Sequence, residues 1–353
     1  MLTTQQHNAL KVLKEKIQDK SPITVLQGAA GSGKSFTLSY LIEELNYQPH
    51  EVHFCAFTGV AAKLLIDKGL EASTIHKLIY EPIMHRGICI GFRKKTRDLL
   101  SHIKLIVVDE YSMVGQELLD DLSSYGIQIL LVGDPYQLPP ISTPNKFYGY
   151  HDVILTEIHR QALESPVLWA ATQIRNGELL KEGTYGDILF VGRKHQLKEE
   201  WLRKDVQFLC GTNATRKKLN LDISGSVELE KGEKVMFLKN DWSNFIINGS
   251  LGRVLDIRKN FDKYKLKVKV DDDFFEDYAV YFEPESVPKR FPKQMKNVVT
   301  KGYAITTHKS QGSTIFDPMV IIDESFCFKG DEAKWLYTAV SRSAGVKPVA
   351  LLR

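Results

Sequence analysis

The chain reads as an α/β protein built on parallel sheets in two domains, and three observations predict this. Over the first 80 residues, short apolar runs alternate with helical patterns, as expected of parallel strands joined by crossover helices. Leu105-Ile106-Val107-Val108 and Ile129-Leu130-Leu131-Val132-Gly133 are continuously apolar, as strands buried on both faces are. Residues 231–296 then shift to the character of a β-meander. They predict a small barrel of about five strands inserted in the second α/β region.

The elements follow in order. Ile23-Thr24-Val25-Leu26 is a β-prone first strand, and Phe36-Thr37-Leu38-Ser39-Tyr40-Leu41-Ile42 suits a helix. Val52-His53-Phe54-Cys55-Ala56-Phe57 is a second strand, with a helix over 59–67. Residues 81–97 differ, because two glycines and five basic residues there predict a small hairpin or loop projecting from the core. The turn-rich Pro139-Pro140-Ile141-Ser142-Thr143-Pro144-Asn145 marks a hinge. A second α/β region opens near Val153 and carries the strand Val206-Gln207-Phe208-Leu209-Cys210. The barrel strands are Gly232-Glu233-Lys234-Val235-Met236-Phe237-Leu238, Gly252-Arg253-Val254-Leu255-Asp256-Ile257 and Tyr264-Lys265-Leu266-Lys267-Val268-Lys269-Val270. The α/β pattern resumes at Gly302-Tyr303-Ala304-Ile305 and ends on Pro348-Val349-Ala350-Leu351-Leu352.

Composition narrows the class. A hydrophobic share of 43% and a charged share of 25% fit a soluble globular chain. At 353 residues there is room for roughly two to three domains. No apolar run is long enough to span a membrane, and the N-terminus lacks the pattern of a signal peptide. A cytoplasmic protein, of a bacterial or phage-infected cell, is expected. The four cysteines, Cys55, Cys89, Cys210 and Cys327, are scattered, which implies neither a zinc site nor a disulfide framework. A net charge of +4 permits nucleic-acid binding without requiring it.

The chemistry is written most clearly at residues 28–35, Gly28-Ala29-Ala30-Gly31-Ser32-Gly33-Lys34-Ser35. A glycine, four residues, then Gly-Lys-Ser between a strand and a helix is the pattern of a phosphate-binding loop. Glycines let successive N–H groups face one anion, and the new helix adds its positive end. Lys34 would bridge the β- and γ-phosphates of ATP and Ser35 would ligate Mg²⁺. An ordinary glycine-rich turn is the alternative, and the full spacing with both flanks correct argues against it. Asp109-Glu110 closes a buried strand. There Asp109 would hold Mg²⁺ through water and Glu110 would polarise the attacking water. Such acidic pairs are common at strand ends, so this one draws its weight from the phosphate loop. Gln137, in Gly133-Asp134-Pro135-Tyr136-Gln137-Leu138, sits where an amide could bond the γ-phosphate or that water.

The set resembles a superfamily 1 helicase of the 5′→3′ branch, RecD/Dda-like, and the resemblance runs along nearly the whole chain. Leu2-Thr3-Thr4-Gln5-Gln6 resembles the adenine-reading glutamine motif, and residues 28–35 resemble motif I. Phe57-Thr58-Gly59-Val60-Ala61-Ala62-Lys63 resembles motif Ia, and Ala72-Ser73-Thr74-Ile75-His76 the next DNA-contact motif. Asp109-Glu110-Tyr111-Ser112-Met113 is similar to motif II and Gly133-Asp134-Pro135-Tyr136-Gln137-Leu138 to motif III. Leu155-Thr156-Glu157-Ile158-His159-Arg160-Gln161 resembles motif IV. Tyr303-Ala304-Ile305-Thr306-Thr307-His308-Lys309-Ser310-Gln311-Gly312 resembles motif V. Leu336-Tyr337-Thr338-Ala339-Val340-Ser341-Arg342 resembles motif VI, with Ser341-Arg342-Ser343-Ala344 replacing a more usual Thr-Arg-Ala ending.

This resemblance implies two RecA-like parallel-sheet domains, 1–80 with 98–145 and 146–230 with 297–353. It implies a small basic hairpin insertion at 81–97 and a small SH3-like β-barrel insertion at 231–296. Gln6 would contact adenine, and Gln311 and Gly312 would join the nucleotide site. Arg160 and Arg342 would point from the second domain into the cleft as arginine fingers. Thr58, Lys63, Thr74 and His76 would line the DNA track of the first domain, and Phe92, with Met84 and His85, could contact DNA as a wedge on the hairpin. Thr212, Asn213, Thr306, Thr307 and His308 would line that of the second. The implied activity is ATP-dependent translocation on single-stranded DNA with unwinding of tailed or forked duplex, 5′→3′ by resemblance alone. A monomer is implied, with replication or recombination proteins as partners and no membrane. The short hairpin leaves open a DNA-stimulated ATPase that remodels protein–DNA complexes and unwinds weakly. A small-molecule kinase with the same loop is disfavoured by Gln137, Arg160 and the motif V stretch, and a nucleotide-gated binding module by the intact Lys34, Asp109 and Glu110.

Overall fold

A computed structural model describes residues 2–85, 88–140, 145–158, 164–239, 246, 248–260, 263–270, 273–282 and 298–353. The chain forms two compact units, Met1–Leu163 and Glu164–Arg353.

In the first unit the strands are β1 (Ile23–Gly28), β2 (Val52–Ala56), β3 (Ala72–Thr74), β4 (Tyr80–His85), β5 (Ile88–Lys94), β6 (Leu105–Asp109), β7 (Gln128–Gly133) and β8 (Val153–Leu155). Six of them make one parallel sheet in the order β3-β2-β6-β7-β1-β8, while β4 and β5 pair as a separate antiparallel hairpin. The continuous apolar runs are explained by helices on both faces. Leu26, Leu105, Val107, Leu130 and Val132 pack on one side with the helix Thr4–Gln18 and the helix Lys34–Leu45. Val25, Ile106, Val108, Ile129 and Leu131 pack on the other with the helix Gln116–Ser123. The period of two along each strand sends neighbours to opposite cores. Each fully buried aliphatic side chain contributes about 1.5–3 kcal/mol.

The boundary expected at 145 is corrected. β8 pairs in parallel with β1, with Leu26 opposite Val153 and Gly28 opposite Leu155. β8 therefore belongs to the first unit, although it lies beyond 145 in sequence. A three-residue strand has too few positions to show periodicity, and its membership is decided by pairing. Asp152 fastens it. Its carboxylate accepts the Val25 N–H at 2.8 Å, the Tyr150 hydroxyl at 2.7 Å and the Lys16 ammonium at 2.6 Å. Burial works to raise the Asp152 pKa, but the Lys16, Tyr150 and Val25 bonds outweigh it and hold the carboxyl below its ordinary value. This contribution to stability is present above the unfolded carboxyl pKa and fades as pH falls through the folded one.

In the second unit the strands are β9 (Gly183–Tyr185), β10 (Leu189–Gly192), β11 (Gln207–Cys210), β12 (Lys234–Phe237), β13 (Leu251–Asn260), β14 (Lys263–Val270), β15 (Asp273–Phe282), β16 (Val298–Lys301), β17 (Ala304–Thr306), β18 (Met319–Ile322) and β19 (Val349–Leu352). One sheet has the order β17-β11-β18-β19-β10-β9, parallel except for the antiparallel edge strand β9. The others, β12 to β16, close a five-stranded barrel. Its last strand falls beyond the expected limit of 296. β16 closes the barrel by pairing in parallel with β15 and antiparallel with β12. Four residues leading straight into β17 carry no signal that separates barrel from sheet.

A buried ion pair in the barrel ties it to the end of the helix Asn213–Ser224. Lys301 and Glu233 are fully buried and 3.3 Å apart. Lys301 also donates to the Ser224 hydroxyl and the Ser226 carbonyl beyond the end of the helix Asn213–Ser224. Removing one member of a buried pair strands the other charge. Lys301→Met should therefore cost about 3–5 kcal/mol in chemical denaturation of the whole chain. The double variant Lys301→Met/Glu233→Leu should lose less than the sum of the two single changes.

Candidate nucleotide site and nucleic-acid track

β1 ends at Gly28, where a Cβ would lie 2.5 Å from the Ser32 hydroxyl and 3.1 Å from the Leu155 carbonyl. Only glycine lets the loop close against β8. Gly31 (φ 78°) and Gly33 (φ 81°) take left-handed conformations that turn the chain into the helix Lys34–Leu45. No side chain caps that helix, which leaves its first N–H groups suited to an anion. The Lys34 ammonium donates to the carbonyls of Gly28 (2.6 Å) and Ala29 (3.0 Å), and the Ser32 hydroxyl donates to Ala29 (2.8 Å). Ser35 lines a cavity of 340 Å³ with Asp109 and Lys68. Gln6 is buried against the loop. Its amide donates to the Ser32 carbonyl at 3.4 Å, while its oxygen accepts the Thr3 N–H in the capping box of the helix Thr4–Gln18.

Asp109 ends β6. Desolvation and then the neighbouring Glu110 charge push its pKa up to about 6, although Lys34 pulls the other way. A divalent cation would favour the charged form, so Asp109 with Ser35 fits a Mg²⁺ site. Glu110 is left-handed (φ 51°, ψ 42°). Such a conformation is costly for a non-glycine residue and concentrates at functional sites. The Gln137 amide donates to Glu110 Oε1 at 3.4 Å, whereas the buried Gln137 Oε1 has no protein hydrogen-bond donor. Behind them Tyr111 packs so closely on Gly133 that a Cβ there would lie 2.7 Å from its ring. Its hydroxyl accepts from the Gln27 amide (2.5 Å) and donates to the Phe147 carbonyl (3.1 Å). Sequence reading missed Gln27 and Tyr111, because a tyrosine beside two carboxylates reads as core until its partners are known.

The candidate track residues of the first unit, apart from Phe92, gather at the carboxyl ends of β2 and β3. Thr58 caps the helix Gly59–Asp67 by accepting the Ala61 N–H at 3.2 Å, and Thr74 caps the helix Ile75–Ile79 by accepting the Lys77 N–H at 3.1 Å. Lys63 pairs with Asp67 at 3.7 Å. The His76 ring lies 6.4 Å from Phe57 and 5.6 Å from Tyr80, and burial lowers its pKa. Phe92 stands apart from this group on β5, 47% exposed.

In the second unit, Cys210 of β11 is opposite Thr306 of β17, which brings the two candidate track segments together. Thr212 caps the helix Asn213–Ser224, and Asn213 accepts from Arg216 at 3.2 Å. Several donors there are already engaged. The buried Glu324 carboxylate accepts the N–H groups of Gly211 (2.7 Å) and Thr212 (2.9 Å) and the Thr215 hydroxyl (2.5 Å). Sequence reading missed Glu324, whose only signal is an acidic residue just beyond β18. The Thr307 hydroxyl donates to the Cys210 carbonyl at 3.4 Å. The His308 ring lies 5.1 Å from Phe328, and burial lowers its pKa. Gln311 is buried beside left-handed Gly312 (φ 74°). Arg342 is buried, donating to the carbonyls of Thr338 (3.2 Å) and Ser313 (3.3 Å) and to the Ser341 hydroxyl (3.2 Å). Arg160 lies outside the described residues.

Known families match segments of both units. The AAA domain family matches residues 1–198, and the UvrD-like helicase C-terminal domain matches 301–345. The chain is 29% identical over 328 residues to the ATP-dependent RecD2 DNA helicase of Deinococcus radiodurans, covering 82% of this chain and 42% of that one. It therefore spans less than half the length of that relative. It is 26% identical over 414 residues to the ATP-dependent DNA helicase Pif1 of Bdellovibrio bacteriovorus, covering 99% and 88%. In fold it is similar to the Pif1 helicase from Bacteroides crystallised with ADP-AlF3 and single-stranded DNA. The TM-score is 0.59 at 21% identity, over 99% of this chain and 92% of that one. With more than half of its length matched by the AAA domain family, and with these helicase relatives, the chain belongs to superfamily 1, in the 5′→3′ branch that holds RecD, Pif1 and Dda.

Proposed function

We propose that the chain is an ATP-driven motor that moves 5′→3′ along single-stranded DNA and unwinds tailed or forked duplex. The observation that carries the reading is the corner at the carboxyl edge of the first sheet. There Lys34 acts on the Asp109 charge and Gln137 holds Glu110. In this reading Lys34 exchanges the Gly28 and Ala29 carbonyls for the β- and γ-phosphates. Glu110 takes a proton from the attacking water, and the Gln137 carbonyl orients that water. Ser35 and Asp109 hold Mg²⁺, which when bound offsets charge on the phosphates. Gln6 meets adenine, Gln311 and Gly312 complete the nucleotide site, and Arg160 and Arg342 neutralise charge on the transferring group.

The two sheets are RecA-like motor domains, the β4–β5 hairpin is the first insertion, and the barrel is an SH3-like second insertion. Thr58, Lys63, Thr74 and His76 line one half of the DNA track, and Thr212, Asn213, Thr306, Thr307 and His308 the other. Hydroxyls, amides and backbone N–H groups on phosphates make such a grip independent of sequence. Phe92 serves as a wedge at the hairpin. A monomer is the working form, with replication or recombination proteins as its associates. Among the described residues, no helix is long and apolar enough to cross a membrane.

Strand displacement tests the reading, using one duplex with a 5′ tail and one with a 3′ tail, ATP and Mg²⁺. Unwinding of the 5′-tailed substrate alone is expected, with none by Lys34→Ala. DNA-stimulated hydrolysis without unwinding of either would favour the remodelling alternative. Glu110→Gln should bind ATP normally in equilibrium titration while its kcat falls by about 10²–10⁴. Loss of ATP binding would remove Glu110 from the chemistry. Arg342→Ala should lower kcat by about 10³ or more, and an unchanged kcat would make its three bonds purely structural.

A further inference from the structure

The root of the β4–β5 hairpin is gripped at two successive rungs by the segment that follows Glu110. Tyr80, the first residue of β4, and Lys94, the last of β5, are register partners. Both side chains reach the same carboxylate. The Tyr80 hydroxyl donates to Asp121 Oδ2, and the Lys94 ammonium lies 2.5 Å from Asp121 Oδ1. The next rung is Ile79 with Lys95, joined by a Lys95 N–H to Ile79 carbonyl bond of 2.9 Å. The Tyr125 hydroxyl lies 2.9 Å from both the Ile79 and the Lys95 carbonyls. Asp121 is on the helix Gln116–Ser123, which buries Leu118, Leu119 and Leu122 in the core of the first unit. That helix begins six residues after Glu110.

A two-stranded hairpin by itself is marginally stable in water. It can bear load only if its root is held, and hydrogen bonds to a charged acceptor are the strong ones. The Lys94 and Tyr80 bonds hold the Asp121 carboxyl below its ordinary pKa against its partial burial. Asp121 therefore stays charged, and the clasp intact, throughout the neutral range.

We propose that Asp121 is a positioning residue for strand separation. By holding Tyr80 and Lys94 together, with Tyr125 behind them, it fixes the hairpin root to the helix following Glu110, so that the hairpin resists the duplex as the motor advances. This rests on the function proposed above, in which the hairpin parts the strands.

The test compares hydrolysis stimulated by single-stranded DNA with unwinding of AT-rich and GC-rich 5′-tailed duplexes. For Asp121→Ala, hydrolysis should stay within about twofold of the parent, while unwinding of the GC-rich duplex falls about tenfold and that of the AT-rich duplex less. A merely structural role would lower both activities together and would not depend on duplex stability. Parental unwinding, or an equal fall in both activities, would overturn the proposal. Removing residues 84–90 separates its failure from that of the underlying reading. If that deletion leaves unwinding intact, the hairpin does not part strands. If the deletion abolishes unwinding and Asp121→Ala does not reduce it, only the role of Asp121 is lost. Should Asp121→Ala fail to fold, Lys94→Gln removes the ion pair at a half-exposed position. The same split is then expected at about threefold, and the same two outcomes overturn the proposal.

Discussion

The first unit depends on one close approach, that of β1 to β8 at Gly28. Main-chain pairing seats β1 between β7 and β8, and a side chain at Gly28 would collide with Ser32 and Leu155. With the strand ends in contact, the loop must leave the sheet at its carboxyl edge, and Gly31 and Gly33 turn it there into the helix Lys34–Leu45. The same edge carries Asp109 at the end of β6 and Gln137 just after β7. Parallel strands emit all their following loops on one edge, so a single sheet can gather residues from many stretches of sequence. Asp152, bonded to Lys16, Tyr150 and Val25, fastens the outermost strand of that arrangement.

Strain and electrostatics are concentrated at the same edge. Glu110 is one of three non-glycine residues with positive φ among those described. Its backbone is determined by what surrounds it: the Asp109 carboxylate accepts its N–H, and Tyr111 is wedged between Gly133 and Gln27. The conformation therefore carries a cost that packing offsets. Two adjacent carboxylates share this corner with Lys34 and Lys68, and desolvation at the strand end, more than the Glu110 charge, raises Asp109. A cation and a polyphosphate complement such an arrangement in charge.

The second unit handles its polar groups by mutual satisfaction. Glu324 takes up the donors at the start of the helix Asn213–Ser224, and Lys301 with Glu233 ties the barrel to the end of the same helix. One helix is thus held at both termini by buried carboxylate chemistry. Gly211 must lack a side chain, since a Cβ would lie 2.8 Å from Glu324.

The sequence by itself determined the strand and helix classes, the phosphate loop and the family, because these rest on local patterns. Continuous apolar runs mark buried parallel strands, and the spacing from Gly28 to Ser35 is a property of contiguous residues. Thr58, Thr74 and Thr212 were singled out as track residues through the family resemblance, with a helix cap as the plain alternative, and the structure shows each hydroxyl accepting a capping bond. The limits of the units were beyond the sequence, since three-residue β8 and four-residue β16 owe their places to hydrogen bonds with strands more than 100 and more than 60 residues earlier, respectively. The left-handed Glu110, the orphaned Gln137 oxygen, the Glu324 cap and the Asp121 clasp were likewise decided only by tertiary structure. Each is a relation between distant side chains, and no local pattern encodes which of many acidic or amide residues will be brought within 3 Å of a given donor.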